Sequence, residues 1–356
     1  MAALVVLANQ QGQSSAMKIA ILDDYQDVVR HLDCFQSLTG NTVRVFNHPA
    51  RGSGQQAARL TDFEALVLIR ERSRVTADLV ARLPNLRLIC QTGKVGPHVD
   101  VAACTRSGVA VTESSGYSHA TAEMTWLLIL AALRRMPAYM ANLYAGQWQR
   151  SVPPLPHWPL AGFGESLAGK SLGIWGFGRI GQIVGGFGRA FGMNVSVHGR
   201  GPSLEAAKAA GFEPVPDKRA LFAQSDVLSL HLRLLDATQG CVTSQDLALM
   251  KPTALLVNTS RAELMAPGAL VQALRSQRPG LAAIDVFEKE PIDQTEPLLT
   301  LPNAICTPHL GFTERSSYER LLGGAFANFV AFAKGQPVNV ANPEVLQATR
   351  DKSSPE

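Results

Sequence analysis

Three polar residues late in the chain, Arg261, Glu290 and His309, are of the types that act together on a carbonyl group. Each follows a short apolar stretch, at residues 254–258, 281–284 and 304–306, with the length and composition of a buried strand. An arginine supplies a planar fork that holds a carboxylate and polarises the C=O beside it. A histidine donates a proton near neutral pH, and a neighbouring carboxylate favours its charged form and keeps that acid available. Taken singly, such residues are ordinarily a solvated arginine, a loop glutamate and a hydrogen-bonded structural histidine. Their succession behind a nucleotide-binding turn makes them candidates for protonating a carbonyl oxygen while hydride reaches its carbon.

That turn is Gly176-Phe177-Gly178-Arg179-Ile180-Gly181, a G-x-G-x-x-G pattern between an apolar strand at 172–175 and a helix-compatible run to Phe191. The first glycine permits the tight turn, the second lets backbone approach a pyrophosphate, and the third allows close packing of helix on strand. N–H groups at the helix start, near Arg179 and Ile180, then face the pyrophosphate. A second strand at 194–197 closes a β-α-β unit of the expected size.

The elements that must position these residues alternate along the chain. Strand candidates at 19–22, 43–46, 65–69, 86–90 and 109–111 are separated by helix candidates such as 76–83 and 101–107. One long helix is expected over 120–146, followed by a proline-rich stretch at 151–159 that cannot continue it. Strands resume at 172–175, 194–197, 227–230, 254–258, 281–284 and 304–306, with helices at 218–223 and 267–275 and a final amphipathic helix at 314–334. The rhythm predicts an α/β protein of two Rossmann-like domains, each a doubly wound parallel sheet, with an active-site cleft between them. Residues 1–16 are expected to be an extension, 17–118 with 312–345 a substrate domain, 119–311 the dinucleotide-binding domain, and 346–356 a tail.

Composition narrows the class. The chain has 356 residues, 46% of them hydrophobic, and a formal charge of +4 with Lys and Arg scattered, which gives nucleic-acid binding little support. The longest apolar run, 124–133, is too short to span a bilayer. Five widely spaced cysteines, without C-x-x-C spacing, read as reduced thiols of a cytoplasmic protein, with no disulfide and no metal site.

The glycine turn, together with Asn258-Thr259-Ser260-Arg261, Asp285 to Pro291 and Thr307 to Gly311, resembles the D-isomer-specific 2-hydroxyacid dehydrogenases. Within them it is most similar to the branch of D-3-phosphoglycerate dehydrogenase and glyoxylate/hydroxypyruvate reductase. The resemblance runs from Lys18 to about Pro343. It implies an NAD(P)-dependent oxidoreductase interconverting a 2-keto acid and a D-2-hydroxy acid, with Arg261 binding substrate carboxylate and carbonyl, His309 as acid/base and Glu290 as its partner. It further implies that Asp285 anchors the nicotinamide carboxamide, that His231, Thr259, Ser260 and Gly311 line the cofactor, and that Gly93-Lys94-Val95-Gly96 grips the substrate carboxylate through backbone N–H groups. Thr121-Ala122-Glu123 resembles the hinge-and-cofactor segment, the long helix the arm of a homodimer, and the last helix would cross back over the first domain.

Several positions depart from the family pattern. Ala262-Glu263 follows Arg261 where glycine is usual, Lys94-Val95-Gly96-Pro97-His98 replaces a G-x-G-x-D-N form, and Arg233 stands where proline commonly follows His231. After the second strand, where NAD-preferring relatives carry an aspartate for the ribose hydroxyls, this chain has His198-Gly199-Arg200. Loss of the carboxylate and gain of a guanidinium favour a 2'-phosphate, so the expectation leans to NADP over NAD, the alternative being that Arg200 stacks on adenine. Lys94, Arg70 and Arg72 are candidates for holding a substrate phosphate, or else Arg70 and Arg72 pair with Glu71 and Asp62. Two rivals stand beside the main reading. A formate-type dehydrogenase carries Gln where this chain has Glu290, and a dinucleotide-sensing corepressor would need a partner-binding motif that the sequence does not display.

Overall fold

The computed structural model describes residues 16–150 and 162–350, in two compact units. The expected extension before residue 16, the proline-rich stretch at 151–159 and the end of the tail lie outside the described residues.

The first unit runs to Tyr117 and resumes at Arg315. Its strands are β1 (Lys18–Leu22), β2 (Thr42–Val45), β3 (Ala65–Leu68), β4 (Leu88–Gln91) and β5 (Ala110–Glu113), paired in parallel in the order β2-β1-β3-β4-β5. In β1 and β3 nearly every side chain is fully buried, as a strand covered on both faces requires. Helix Arg315–Ala333 packs against β4 and β5 through Ser114 Oγ, which donates to Leu321 C=O (3.0 Å), and Asn328 Nδ2, which donates to Glu113 C=O (2.8 Å). Beyond it the chain runs antiparallel to β5, where Glu113 N–H donates to Asn339 C=O (3.0 Å) and Ala341 N–H to Val111 C=O (2.7 Å).

The second unit, Ser118–Glu314, holds β6 (Ser171–Trp175), β7 (Asn194–His198), β8 (Glu213–Pro214), β9 (Val227–Leu230), β10 (Leu255–Asn258), β11 (Leu281–Ile284) and β12 (Ala304–Cys306). All pair in parallel in the order β12-β11-β10-β9-β6-β7-β8, with the reversal of winding between β6 and β9. Alternate residues fill opposite cores. Leu172, Ile174, Val227, Leu255, Val257, Leu281 and Ala283 pack with helix Ser118–Leu133, whereas Trp175, Leu228, Leu230, Leu256, Ala282 and Ile284 pack with Phe222 and Leu247 on the other face. The short edge strand β8 has no signal in the sequence, because two residues carry no periodicity.

The single long helix expected over 120–146 is two, Ser118–Leu133 and Met136–Tyr144. Pro137 lacks the N–H that would continue the ladder and its ring clashes with the preceding turn, so the chain breaks with Arg135 at φ 55° and restarts with proline in the first turn. No helix among the described residues is long and apolar enough to cross a membrane. The five cysteines are free thiols.

Phe222 is fully buried, edge-on to Trp175 at 5.8 Å, directly beneath the strand that leads into the glycine turn. Phe222→Ala is expected to cost about 3–5 kcal/mol, read as a lowered urea midpoint by circular dichroism; an unchanged midpoint would contradict this account of the core.

Candidate active site

Because β10, β11 and β12 are neighbours in one parallel sheet, the residues that follow them share one edge. There Arg261, Glu290 and His309 are gathered. His309 Nδ1 lies 2.6 Å from Glu290 Oε2, and Glu290 Oε1 accepts Phe287 N–H at 2.9 Å. His309 adopts φ 54°, its N–H donates to Thr307 C=O (2.9 Å), and its ring meets Phe312 edge-on at 5.6 Å. With Nδ1 committed to the carboxylate, Nε2 is the nitrogen left to exchange a proton. Burial alone would raise the Glu290 carboxyl, but the hydrogen bond and charge of His309, the Phe287 N–H and the charge of Arg261 outweigh it and hold the group below the usual glutamate range.

Asp285 follows β11 and is fully buried. Its Oδ1 accepts the Thr307 hydroxyl (2.7 Å) and Leu310 N–H (2.8 Å), and its Oδ2 accepts Gly311 N–H (2.8 Å). Burial raises this carboxyl above the ordinary aspartate value despite those donors. The same carboxylate therefore fixes both sides of the segment that carries His309. Thr121 Oγ1 donates to Gly311 C=O (2.9 Å), tying the helix Ser118–Leu133 to that segment.

At the end of β10, Asn258 braces the Arg261 turn: its Nδ2 donates to Arg261 C=O (2.8 Å) and its Oδ1 accepts Ser260 N–H (3.0 Å). Thr259 Oγ1 pairs with Thr125 Oγ1 at 2.8 Å, and Ser260 Oγ donates to Leu230 C=O at 2.7 Å. Neither bond was foreseeable from local sequence, since the partners lie far away in the chain.

The glycine turn follows β6. Gly176 has φ 99°, and a Cβ there would stand 2.5 Å from His231 C=O, while one on Gly181 would stand 2.2 Å from Gly176 C=O. A Cβ on Gly178 would meet nothing within 4 Å, so its surroundings are open. Gly178 caps helix Arg179–Ala190 without a side-chain acceptor, which leaves the N–H groups at that helix start to a ligand. His231, after β9, pairs its Nε2 with Ser229 Oγ (2.9 Å), its buried Nδ1 has no protein partner, and burial pushes the imidazole down to about 4. Arg200 is exposed after β7 at the start of helix Gly201–Ala209. An open Gly178, an uncapped helix start and an orphaned, neutral His231 nitrogen fit a dinucleotide. Groups of His, Cys, Asp or Glu arranged for a metal ion are absent among the described residues.

In the first unit, Gly93-Lys94-Val95-Gly96 follows β4. Gly93 N–H donates to Ser114 Oγ (2.9 Å), Val95 N–H donates to Glu113 Oε1 (2.8 Å), and Lys94 Nζ is paired with Glu113 Oε2. The side chain of Glu113 in this role was missed in the sequence, for no local pattern links residues 94 and 113.

A family model for the NAD-binding domain of D-isomer-specific 2-hydroxyacid dehydrogenases matches residues 126–311, just over half of the chain. The chain belongs to that family. It is an NAD(P)-dependent oxidoreductase that interconverts a 2-keto acid and a D-2-hydroxy acid by hydride transfer. Glyoxylate reductase of Aeropyrum pernix is 40% identical over 277 residues, 77% of this chain and 82% of that protein. Among solved structures, a Ralstonia solanacearum protein provisionally described as a D-3-phosphoglycerate dehydrogenase oxidoreductase is 54% identical, with a TM-score of 0.89 over 93% of this chain and 98% of that one. Phosphoglycerate oxidoreductase of Vibrio cholerae o395 is 52% identical, with a TM-score of 0.84 over 90% of this chain and 99% of that one. Neither the formate-type enzyme nor the corepressor is favoured by these likenesses.

Asp285→Asn places an amide nitrogen that cannot accept where a carboxylate oxygen now takes an N–H. The variant is expected to lose about 1–3 kcal/mol of stability in chemical denaturation; wild-type stability would show that the Thr307 to Gly311 segment does not depend on this carboxylate.

Proposed function

We propose that His309 is the acid/base of the reaction, that Glu290 stabilises its imidazolium, and that Arg261 holds the substrate's carboxylate and carbonyl oxygen. The observation that carries this reading is the 2.6 Å contact between His309 Nδ1 and Glu290 Oε2 on the sheet edge that also carries Arg261. A bound nicotinamide supplies the hydride that reaches the carbonyl carbon. During reduction negative charge grows on the substrate oxygen, Arg261 offsets it, and Nε2 of His309 delivers the proton. Glu290 stays ionised throughout because its proton affinity is depressed. The ionised carboxylate thus stands against Nδ1 before substrate arrives.

The cofactor is assigned to the line of strand ends from β7 to β12, six neighbours with five spacings of about 4.8 Å between them. Gly176, Gly178, Arg179, Ile180 and Gly181 hold its pyrophosphate, His231, Thr259 and Ser260 line it, and Asp285 and Gly311 frame the nicotinamide end. Arg200 at the β7 end, with no carboxylate at the neighbouring positions 198 and 199, favours the 2'-phosphate of NADP. The loop Gly93-Lys94-Val95-Gly96 is assigned to the substrate carboxylate. The exposed Met136, Met140, Leu143 and Tyr144 of helix Met136–Tyr144 offer apolar surface for a second copy, supporting a homodimer, and five free thiols suit a cytoplasmic enzyme.

Two tests bear on these roles. His309→Ala and Arg261→Gln are expected to lower kcat/KM for glyoxylate or hydroxypyruvate by about 100-fold to 10,000-fold, measured by NADPH oxidation at ~340 nm, with NADPH affinity by fluorescence titration nearly unchanged. Normal turnover in either variant refutes its assignment. Arg200→Ser is expected to reduce the ratio of NADPH to NADH efficiency about tenfold or more; a wild-type preference for NADH would overturn the cofactor assignment outright.

A further inference from the structure

The loop assigned above to the substrate carboxylate already holds a carboxylate of the protein's own. Glu113 Oε1 accepts Val95 N–H at 2.8 Å and its Oε2 is paired with Lys94 Nζ. The Glu113 side chain is 19% exposed and that of Lys94 68%, so the carboxylate is the enclosed partner and the lysine folds down upon it. With Gly93 N–H also taken, by Ser114 Oγ, the N–H groups of Lys94 and Gly96 are those of the loop without an acceptor among the described residues.

The other cations near this loop are likewise engaged. A Cβ on Gly93 would stand 2.1 Å from Arg70 Nη1, so the guanidinium lies directly over that glycine. Its Nε is 3.9 Å from Glu71 Oε2, and its Nη1 lies 3.4 Å from Thr92 C=O. Arg72 donates to Asp23 C=O (2.8 Å) and to Gln26 Oε1 (3.1 Å), and its guanidinium stacks on the Tyr25 ring at 4.5 Å. Lys94 and Arg70 thus each face a carboxylate, and Arg72 braces the segment after β1.

We infer that Glu113 is a specificity-determining residue that restricts the substrate to an unphosphorylated 2-keto acid with a single carboxylate. Glu113 neutralises the loop's lysine and occupies one of its N–H groups. What remains is a pair of N–H donors, suited to one carboxylate. A second anionic group on the substrate, a phosphate above all, would meet at this loop a lysine whose charge Glu113 already offsets. The inference rests on the loop's proposed role as the carboxylate grip.

The test compares hydroxypyruvate with 3-phosphohydroxypyruvate, which differ only in the phosphate, using the full chain and NADPH or NADH. Wild type is expected to favour hydroxypyruvate in kcat/KM by about tenfold or more. Glu113→Gln keeps an acceptor for Val95 N–H but removes the charge, and should narrow that ratio about tenfold, chiefly through a lower KM for the phosphorylated acid. Lys94→Met, which leaves Glu113 unneutralised, should widen it. A wild-type preference for 3-phosphohydroxypyruvate, or a ratio unmoved by Glu113→Gln while hydroxypyruvate is still reduced, overturns the inference and leaves the acid/base assignment standing. Absence of turnover with either acid overturns the inference together with the substrate reading beneath it.

Discussion

Parallel pairing makes every strand of a sheet end on the same edge, and the chemistry of this chain depends on that constraint. In the second unit the order β8-β7-β6-β9-β10-β11-β12 lays Arg200, the glycine turn, His231, Arg261, Asp285 and His309 out in succession, although they are scattered over more than a hundred residues of sequence. The strands themselves offer nothing reactive, since their alternate side chains are consumed by two apolar cores. The candidate functional residues stand past the last hydrogen-bonded pair, which is where a ligand can reach them.

Two carboxylates after β11 divide the work by environment. Asp285 sits in the interior and is surrounded by donors from one segment of chain, so it serves as a mould for that segment. Glu290 stands nearer solvent and has a single imidazole and a backbone N–H as partners, and its proton affinity moves in the opposite direction. Burial works against the ionised form at both; the hydrogen bond from His309, followed by its charge, decides the outcome at Glu290. The positive φ of His309 belongs to the same arrangement, since the strained backbone is held between the donors to Asp285 and the contact with Glu290.

Much of this was legible in the sequence. Buried parallel strands are short apolar runs bounded by polar residues, and two of the three glycines of the turn are forced by a backbone contact, Gly176 with His231 C=O and Gly181 with Gly176 C=O. Arg261, Glu290 and His309 were readable because each lies close behind such a run. What escaped detection depends on distant partners or on the local geometry of one residue. Pro137 breaks a helix whose apolar pattern continues through it. Glu113 meets Lys94 and Val95 only because β4 and β5 are adjacent, a fact of sheet order that no spacing encodes. The fates of Arg70 and Arg72 were undecided for the same reason, the partners of Arg72 being contributed by the turn after β1.

The first unit is assembled from two stretches of chain separated by the whole of the second. Its strand β5 is covered by residues 339–341, and Glu319 accepts the N–H groups of Asp33 and Cys34 at 2.7 and 3.0 Å. On a ribosome the strands of this unit emerge before the second unit, yet their closing segment is made after it. The second unit, continuous in sequence, is complete before the first can be. During that interval β5 presents an unpaired edge, and helix Arg315–Ala333 has yet to shield the face of β4 and β5. Synthesis thus finishes the nucleotide-binding half first, and the half whose strands are made earlier waits for the segment that follows Glu314.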